Sequence, residues 1–115
     1  MIKRNSDMNI VVNEAMRGGD GSAKIRHILN ADEIHGKSRM TAVITLEPGC
    51  SIGEHVHENE EEIFYVMSGN VVYNDNGNET TLSAGDSCIC YGGEKHGVAN
   101  KSDKTAQLFA VILTY

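Results

Sequence analysis

The feature that most constrains this sequence is a succession of short, strand-like runs separated by turn residues, which dominates the chain after residue 38. Each run is rich in β-branched and aromatic residues, and clusters of Gly, Asn, Asp and Ser separate it from the next run. The runs predicted to be strands cover residues 39–46, 54–57, 61–69, 70–75, 76–82, 86–91, 96–100 and 106–115. Such spacing is typical of an antiparallel sandwich or barrel, so we predict an all-β protein.

The turns carry residues that tight turns require. Residues 74–78 combine asparagine, aspartate and glycine between two strand-like runs, and an Asn-Gly pair favours the left-handed conformations of a β-hairpin. Residues 16–22 form another glycine-rich turn, which leads into a strand-like run over residues 23–29. Residues 1–15 fit either a short strand or a helical turn, with the balance towards a strand.

Length and charge exclude several classes of protein. At 115 residues the chain is expected to form a single domain over 1–115, with an N-terminal arm over 1–22 and a core barrel over 40–115. The net charge of -6 leaves no basic stripe to neutralise phosphates, which argues against nucleic-acid binding. No run approaches the roughly 18 to 20 apolar residues of a membrane helix, and the first residues do not resemble a signal peptide. We therefore expect a cytoplasmic protein without membrane association.

The residues that point to chemistry are two histidines spaced two apart, His55 and His57, with three glutamates shortly after them. Alternate side chains of a strand share one face, so both imidazoles would reach the same ion. Glu60, Glu61 and Glu62 follow across a turn, where a hairpin would bring an acid back beside the histidines. A His-x-His pair alone is weak evidence for a metal site, and the prediction depends on the motifs around it.

That wider pattern resembles the cupin family. Residues 49–69 match its first motif of glycine, five residues, His-x-His, three or four residues, glutamate, six residues and glycine. Counting back from Gly69 selects Glu62 as the acid. Residues 85–100 are similar to the second cupin motif and contribute His96. Tyr91 occupies a position where the family usually has proline, which affects the shape of a loop rather than the ligands.

The resemblance implies a cupin-type double-stranded β-helix, a jelly-roll barrel of two antiparallel sheets around a pocket. It also implies a site for one divalent transition metal ion (Mn, Fe, Ni, Co, Cu or Zn), whose ligands would be His55, His57, Glu62 and His96. Glu61 stays open as the alternative acid if the chain uses the shorter spacer. Glu58 and Glu60 are interpreted as surface charges.

These ligands indicate an open rather than a closed metal site. Imidazole and carboxylate groups suit all six metals and do not select among them. In a six-coordinate ion, two positions would stay available to a small molecule. We therefore predict a metal-binding cupin that is a metal-dependent oxygenase, isomerase or lyase, with a non-catalytic ligand-binding or sensing module as the alternative. No catalytic residue beyond the ligands can be assigned.

Four aromatic or aliphatic residues near the motifs are candidates for the pocket wall. Tyr91 is the one favoured for that role, whereas Phe64, Val66 and Tyr73 are expected to pack in the core. The cysteines, an odd number without a CxxC pair, are expected to be reduced thiols that pack as small hydrophobic groups. They are Cys50, Cys88 and Cys90.

Two further features concern partners. An anionic small-molecule ligand would attract cations, and the candidates, if they converge on the pocket, are Lys24, Arg26, Arg39 and Lys95. A surface position is the alternative for each. Residues 106–115 are apolar on both faces, which suggests a strand covered by another subunit, and the resemblance implies a homodimer.

Overall fold

The computed structural model describes residues 1–115 and consists almost entirely of strands joined by turns. Three single-turn 3₁₀ helices lie at Asn5–Asp7, Met16–Gly18 and Ala31–Glu33. None of the helices has the length and apolar character needed to cross a membrane. The strands are β1 (Asn9–Glu14), β2 (Ser22–Leu29), β3 (Ser38–Leu46), β4 (Ser51–Val56), β5 (Glu60–Ser68), β6 (Asn70–Asp75), β7 (Asn78–Ser83), β8 (Ser87–Cys90), β9 (Lys95–Ala99) and β10 (Ala106–Thr114).

The strands form two antiparallel sheets. The six-stranded sheet has the order β1-β2-β3-β10-β5-β8, and the four-stranded sheet has the order β4-β9-β6-β7. Strands that are neighbours in a sheet, such as β10 and β3, are far apart in the chain. The sheets are therefore built from long-range strand pairings, and the chain crosses from one sheet to the other. This is the layout of a jelly roll, because consecutive strands repeatedly pass from one sheet to the other.

The predicted hairpin in the second half of the chain is confirmed. β6 and β7 pair in register, with Asp75 opposite Asn78. The two residues between them, Asn76 and Gly77, have φ angles of 53° and 95°. Both residues tolerate left-handed backbone, which is why this dipeptide closes the turn.

The core lies between the two sheets. Alternate residues of β10 point into it, including Leu108 and Ala110, which are fully buried. β2 adds Ala23 and Ile25, and the four-stranded sheet contributes Val98. Burying one side chain of leucine or isoleucine size contributes about 1.5–3 kcal/mol, so this apolar layer holds the two sheets together.

Candidate metal centre

The predicted site residues lie at one end of the barrel, between the sheets. His55 is on β4 and His96 on β9, and the two are direct register partners in the four-stranded sheet. His57 follows β4 by one residue, and Glu62 reaches in from β5 of the opposite sheet. Antiparallel pairing and the two-residue period of a strand therefore bring together residues that are up to 41 positions apart in the sequence.

The four side chains form a compact cluster. His57 Nε2, His96 Nε2 and Glu62 Oε1 lie 3.1 Å from one another in each pairing. One donor atom from each residue of the set, including His55, falls within 4.8 Å of the others. His57, Glu62 and His96 are buried, whereas His55 is partly exposed. Glu61, the alternative acid, pairs with Leu113 on the outer face of β5 and does not enter the cluster.

Hydrogen bonds on the far side of each imidazole favour Nε2 as the free donor atom. His55 Nδ1 donates to the Gly53 carbonyl at 2.8 Å, and His57 Nδ1 donates to Glu60 Oε2 at 2.7 Å. Neither oxygen carries a hydrogen, so the proton belongs on Nδ1 and the lone pair of Nε2 faces the cluster. His96 Nδ1 lies 2.8 Å from the Tyr73 hydroxyl, which is able to accept its proton and so is compatible with the same tautomer.

This arrangement fits a divalent cation. Two imidazole lone pairs and a carboxylate oxygen at such short separation repel one another unless a positive charge lies among them. Ligands at right angles around an ion, each about 2.1 Å from it, are separated by about 3 Å, which is close to the observed spacing. The donor set of nitrogen and oxygen is one that transition metals prefer.

Burial and hydrogen bonding act in opposite directions on the pKa values of the cluster residues. Burial lowers the pKa of His55, which keeps that imidazole neutral. The Glu62 carboxylate at Nε2 raises the pKa of His57 despite its burial, because it accepts a hydrogen bond from the ring once Nε2 is protonated. Burial opposes ionisation of Glu62, but the hydrogen bonds that His57 and His96 donate when protonated outweigh it and lower the pKa of this carboxyl.

Glu60 is not a surface charge, and that interpretation of the sequence is wrong. Its carboxylate contacts Arg39 at 2.6 and 2.7 Å and His57 Nδ1 at 2.7 Å. The Arg39 guanidinium, with His57 assisting, lowers the pKa of Glu60 to about 2. Glu60 and Glu62 are two residues apart on β5 and so share a face, a signal that the sequence did contain. Glu58 is exposed, as expected.

A cavity of about 120 Å³ opens beside the cluster. Phe64 forms part of its wall and stacks on the His96 ring at 5.2 Å between centroids. Tyr91, which the sequence favoured for the wall, is 54% exposed and lies outside the cavity, so that prediction is wrong. The lining residues are Met16, Arg17, Ile25, Arg39, Met40, Ile44, Ile52, His55, His57, Glu62, Phe64 and Ile112.

Of the four cations considered for an anionic ligand, only Arg39 is at the cavity. Arg39 lines the wall, whereas Lys95 pairs with Glu54 at 3.4 Å outside it. The sequence did not identify Arg17, which also lines the cavity and makes no salt bridge. Its position is set by the turn at Met16–Gly18, which packs against β4.

Gly53 allows this close packing. A Cβ atom at Gly53 would lie 2.0 Å from the Arg17 carbonyl oxygen, so only glycine admits the backbone of the turn at this point. The same Gly53 supplies the carbonyl that accepts from His55 Nδ1. One residue therefore links the wall of the cavity to the orientation of an imidazole.

Comparison with known proteins identifies the family. Residues 42–112 match the family described as the cupin domain. The chain belongs to the cupin family. An oxalate-binding protein from Thermotoga maritima is 37% identical to this cupin over 113 residues, which make up 98% of this chain and 93% of the relative.

Solved structures support the same fold. A predicted oxalate decarboxylase from Thermotoga maritima superposes on this cupin with a TM-score of 0.94, at 36% identity and with 100% of both chains covered. An uncharacterized conserved protein with a double-stranded β-helix domain from Klebsiella pneumoniae is 28% identical, with a TM-score of 0.69 over 78% of this chain and 75% of the other. The cupin resemblance and the jelly-roll barrel predicted from the sequence are confirmed.

Proposed function

We propose that this cupin holds one divalent transition metal ion on His55, His57, Glu62 and His96 and uses it to bind a small organic anion. The observation that carries the proposal is the convergence of three buried donor atoms at 3.1 Å, with the other nitrogen of each imidazole already engaged. When bound, the ion would supply a Lewis acid that holds and polarises an oxygen atom of the ligand.

Charge and size support a small carboxylate as the ligand. Three neutral imidazoles and one carboxylate around a divalent ion leave a net positive charge, and Arg17 adds an unpaired cation at the wall. A volume of about 120 Å³ is well below the roughly 300–1,000 Å³ of pockets for drug-sized molecules. The relative named oxalate-binding protein matches this chemistry, so we propose oxalate or a similarly small carboxylate.

The cavity favours binding over reactions that need a separate base. Apart from three of the proposed ligands, His55, His57 and Glu62, its wall consists of apolar side chains and the two arginines, and an arginine does not act as a proton acceptor at neutral pH. Isomerase chemistry therefore lacks a candidate base. A metal-dependent cleavage of the bound carboxylate is the second candidate, supported by the structural relative described as a predicted oxalate decarboxylase.

Metal content tests the ligand set. His57→Ala and His96→Ala each remove one donor atom, so the metal recovered by elemental analysis after loading and desalting should fall sharply relative to the wild type. His35→Ala is the matched control, because His35 lies in an exposed loop away from the cluster. Full metal occupancy in both ligand variants would place the metal elsewhere.

Oxalate titration tests the ligand class. Calorimetry should detect oxalate binding to the metal-loaded wild type and weaker binding to Arg17→Gln, with Arg4→Gln as the control at an exposed arginine outside the cavity. Release of CO₂ or formate during incubation would establish the second candidate, and stable binding without product would favour the first. Absence of oxalate binding to the loaded protein would refute the proposed ligand class.

We also propose a homodimer formed through the outer face of the six-stranded sheet. One row of residues across this face consists of Ile10, Arg26, Val43, Phe109, Tyr65 and Ser87, which are register partners in sequence. The next row contains Thr41, Val111, Ile63 and Ile89. Most of these side chains are apolar, and Tyr65 is 47% exposed.

A second copy of the chain that packs against this face would remove the apolar rows from water, which favours association. Light scattering should give twice the 12.5 kDa chain mass, and Tyr65→Lys should reduce it to the monomer. A monomeric wild type at high concentration would refute the dimer.

A further inference from the structure

An uninterrupted series of hydrogen bonds connects the edge of the cavity to the candidate metal centre. Arg39 on β3 contacts both carboxylate oxygens of Glu60 through Nε and Nη2, at 2.6 and 2.7 Å. Glu60 Oε2 in turn accepts from His57 Nδ1 at 2.7 Å. These three residues come from different elements, so the contact exists only in the folded chain.

His57 needs such support more than the other two histidines. It lies beyond the end of β4, where its backbone is held by contacts with the turn at Gly93 and Glu94 rather than by the regular strand pairing. Its two ring nitrogens also face two different carboxylates, since Glu60 lies at Nδ1 and Glu62 at Nε2. Both carboxylates attract the single proton of the neutral ring.

The position of that proton decides whether the ring can bind a cation. With the proton on Nδ1, the Nε2 lone pair points at the cluster. With the proton on Nε2, an N–H group would point at Glu62 Oε1 and His96 Nε2, each 3.1 Å away, and would occupy the place of an ion. The contact to Glu60 is the shorter one at 2.7 Å, which favours the first arrangement.

We infer that Glu60 is a positioning residue, which holds His57 with its proton on Nδ1 and its Nε2 directed at the metal centre, and that Arg39 keeps Glu60 in place. The two-point contact from Arg39 fixes the carboxylate plane, which a lysine would not do. This inference rests on the proposed function, since positioning of His57 matters only if the cluster binds a cation. Residues that orient a metal ligand in this way typically change metal affinity about 10–100-fold when they are replaced.

The test compares Glu60→Ala with Glu61→Gln, a control on the same strand whose side chain lies on the outer face and makes no hydrogen bond or salt bridge. Affinity for Co²⁺, measured by competition with a chelator, should fall about 10–100-fold in Glu60→Ala and remain unchanged in the control. Glu60→Gln, whose amide oxygen still accepts from Nδ1, should recover part of the loss. Unchanged affinity in Glu60→Ala would overturn the inference.

A second measurement separates this inference from the proposed function. Nitrogen NMR of the metal-free protein, recorded at alkaline pH so that the ring is neutral, reports which ring nitrogen of His57 carries the proton. It should show Nδ1 in the wild type and a shift towards Nε2 in Glu60→Ala. If the wild type and the control bind no Co²⁺, the proposed function fails whatever the NMR result. If they bind Co²⁺ but the His57 proton is the same with and without Glu60, the positioning role fails alone. Should Glu60→Ala not fold, Glu60→Gln takes its place in both measurements, with a smaller change of the same sign.

Discussion

Replacing Tyr73 by phenylalanine isolates one hydrogen bond to the candidate metal centre. The Tyr73 hydroxyl lies 2.8 Å from His96 Nδ1, and both residues are buried, at 3% and 1% exposure. Burial raises the pKa of Tyr73, so the hydroxyl stays protonated at all pH values where the protein would be studied. Phenylalanine keeps the ring, which packs edge-on against His96 at 5.5 Å, and removes only the oxygen.

Two effects of this substitution follow from the geometry. An unpaired Nδ1 in a buried site costs about 1–3 kcal/mol, so the free energy of unfolding of the metal-free protein should fall by that amount. His96 can reduce the cost by moving its proton to Nε2, where Glu62 Oε1 accepts it at 3.1 Å. That tautomer removes a metal donor, so affinity should fall about 10–100-fold, which corresponds to about 1.4–2.7 kcal/mol of binding free energy.

The assay combines urea unfolding followed by circular dichroism with a chelator competition for Co²⁺. Tyr91→Phe is the control, because Tyr91 is exposed, lies outside the cavity, and has a hydroxyl that makes no hydrogen bond within the chain. Both quantities should stay at wild-type values in the control. If Tyr73→Phe matches the control in unfolding midpoint and in affinity, the hydroxyl does not orient His96 and the reasoning is refuted.

Three other outcomes are expected. Gly53→Ala places a Cβ atom 2.0 Å from the Arg17 carbonyl oxygen and should lower the free energy of unfolding by about 1–3 kcal/mol. Gly36→Ala is the control, because the space around Gly36 is open. Equal melting temperatures of the two variants would contradict this prediction. Burial raises the pKa of both Cys88 and Cys90 to about 11, so at pH 8 their thiolate fraction is about 100-fold lower than in the unfolded chain. A disulfide reagent should therefore modify both cysteines slowly until guanidinium unfolds the protein. Rapid modification of the folded protein would contradict this prediction. Metal affinity should fall with decreasing pH because protons compete for the imidazoles, and the fall should start above the ordinary histidine pKa of about 6.5 because the pKa of His57 is raised. A flat affinity from pH 8 to pH 5 would exclude histidine ligands.

Much of the fold and of the site follows from local pattern. Period-two alternation and turn residues predict the strands, and the Asn76-Gly77 hairpin closes as expected. The proposed ligands His55 and His57 share a face because they are two residues apart, and the resemblance to the first cupin motif selects Glu62 from its neighbours. These features are readable because each depends on the conformation of only a few consecutive residues.

The contacts that surround the site were decided by the tertiary structure. The side chains that orient the imidazoles, Glu60 and Tyr73, reach them across turns and sheet pairings, and Arg39 reaches Glu60 from a strand 21 residues away. Arg17 likewise lines the cavity only because the turn that carries it packs against β4. A residue's own neighbours in the chain determine which face it occupies, but the partner on that face comes from the register and crossing of distant strands, which no short stretch of sequence encodes.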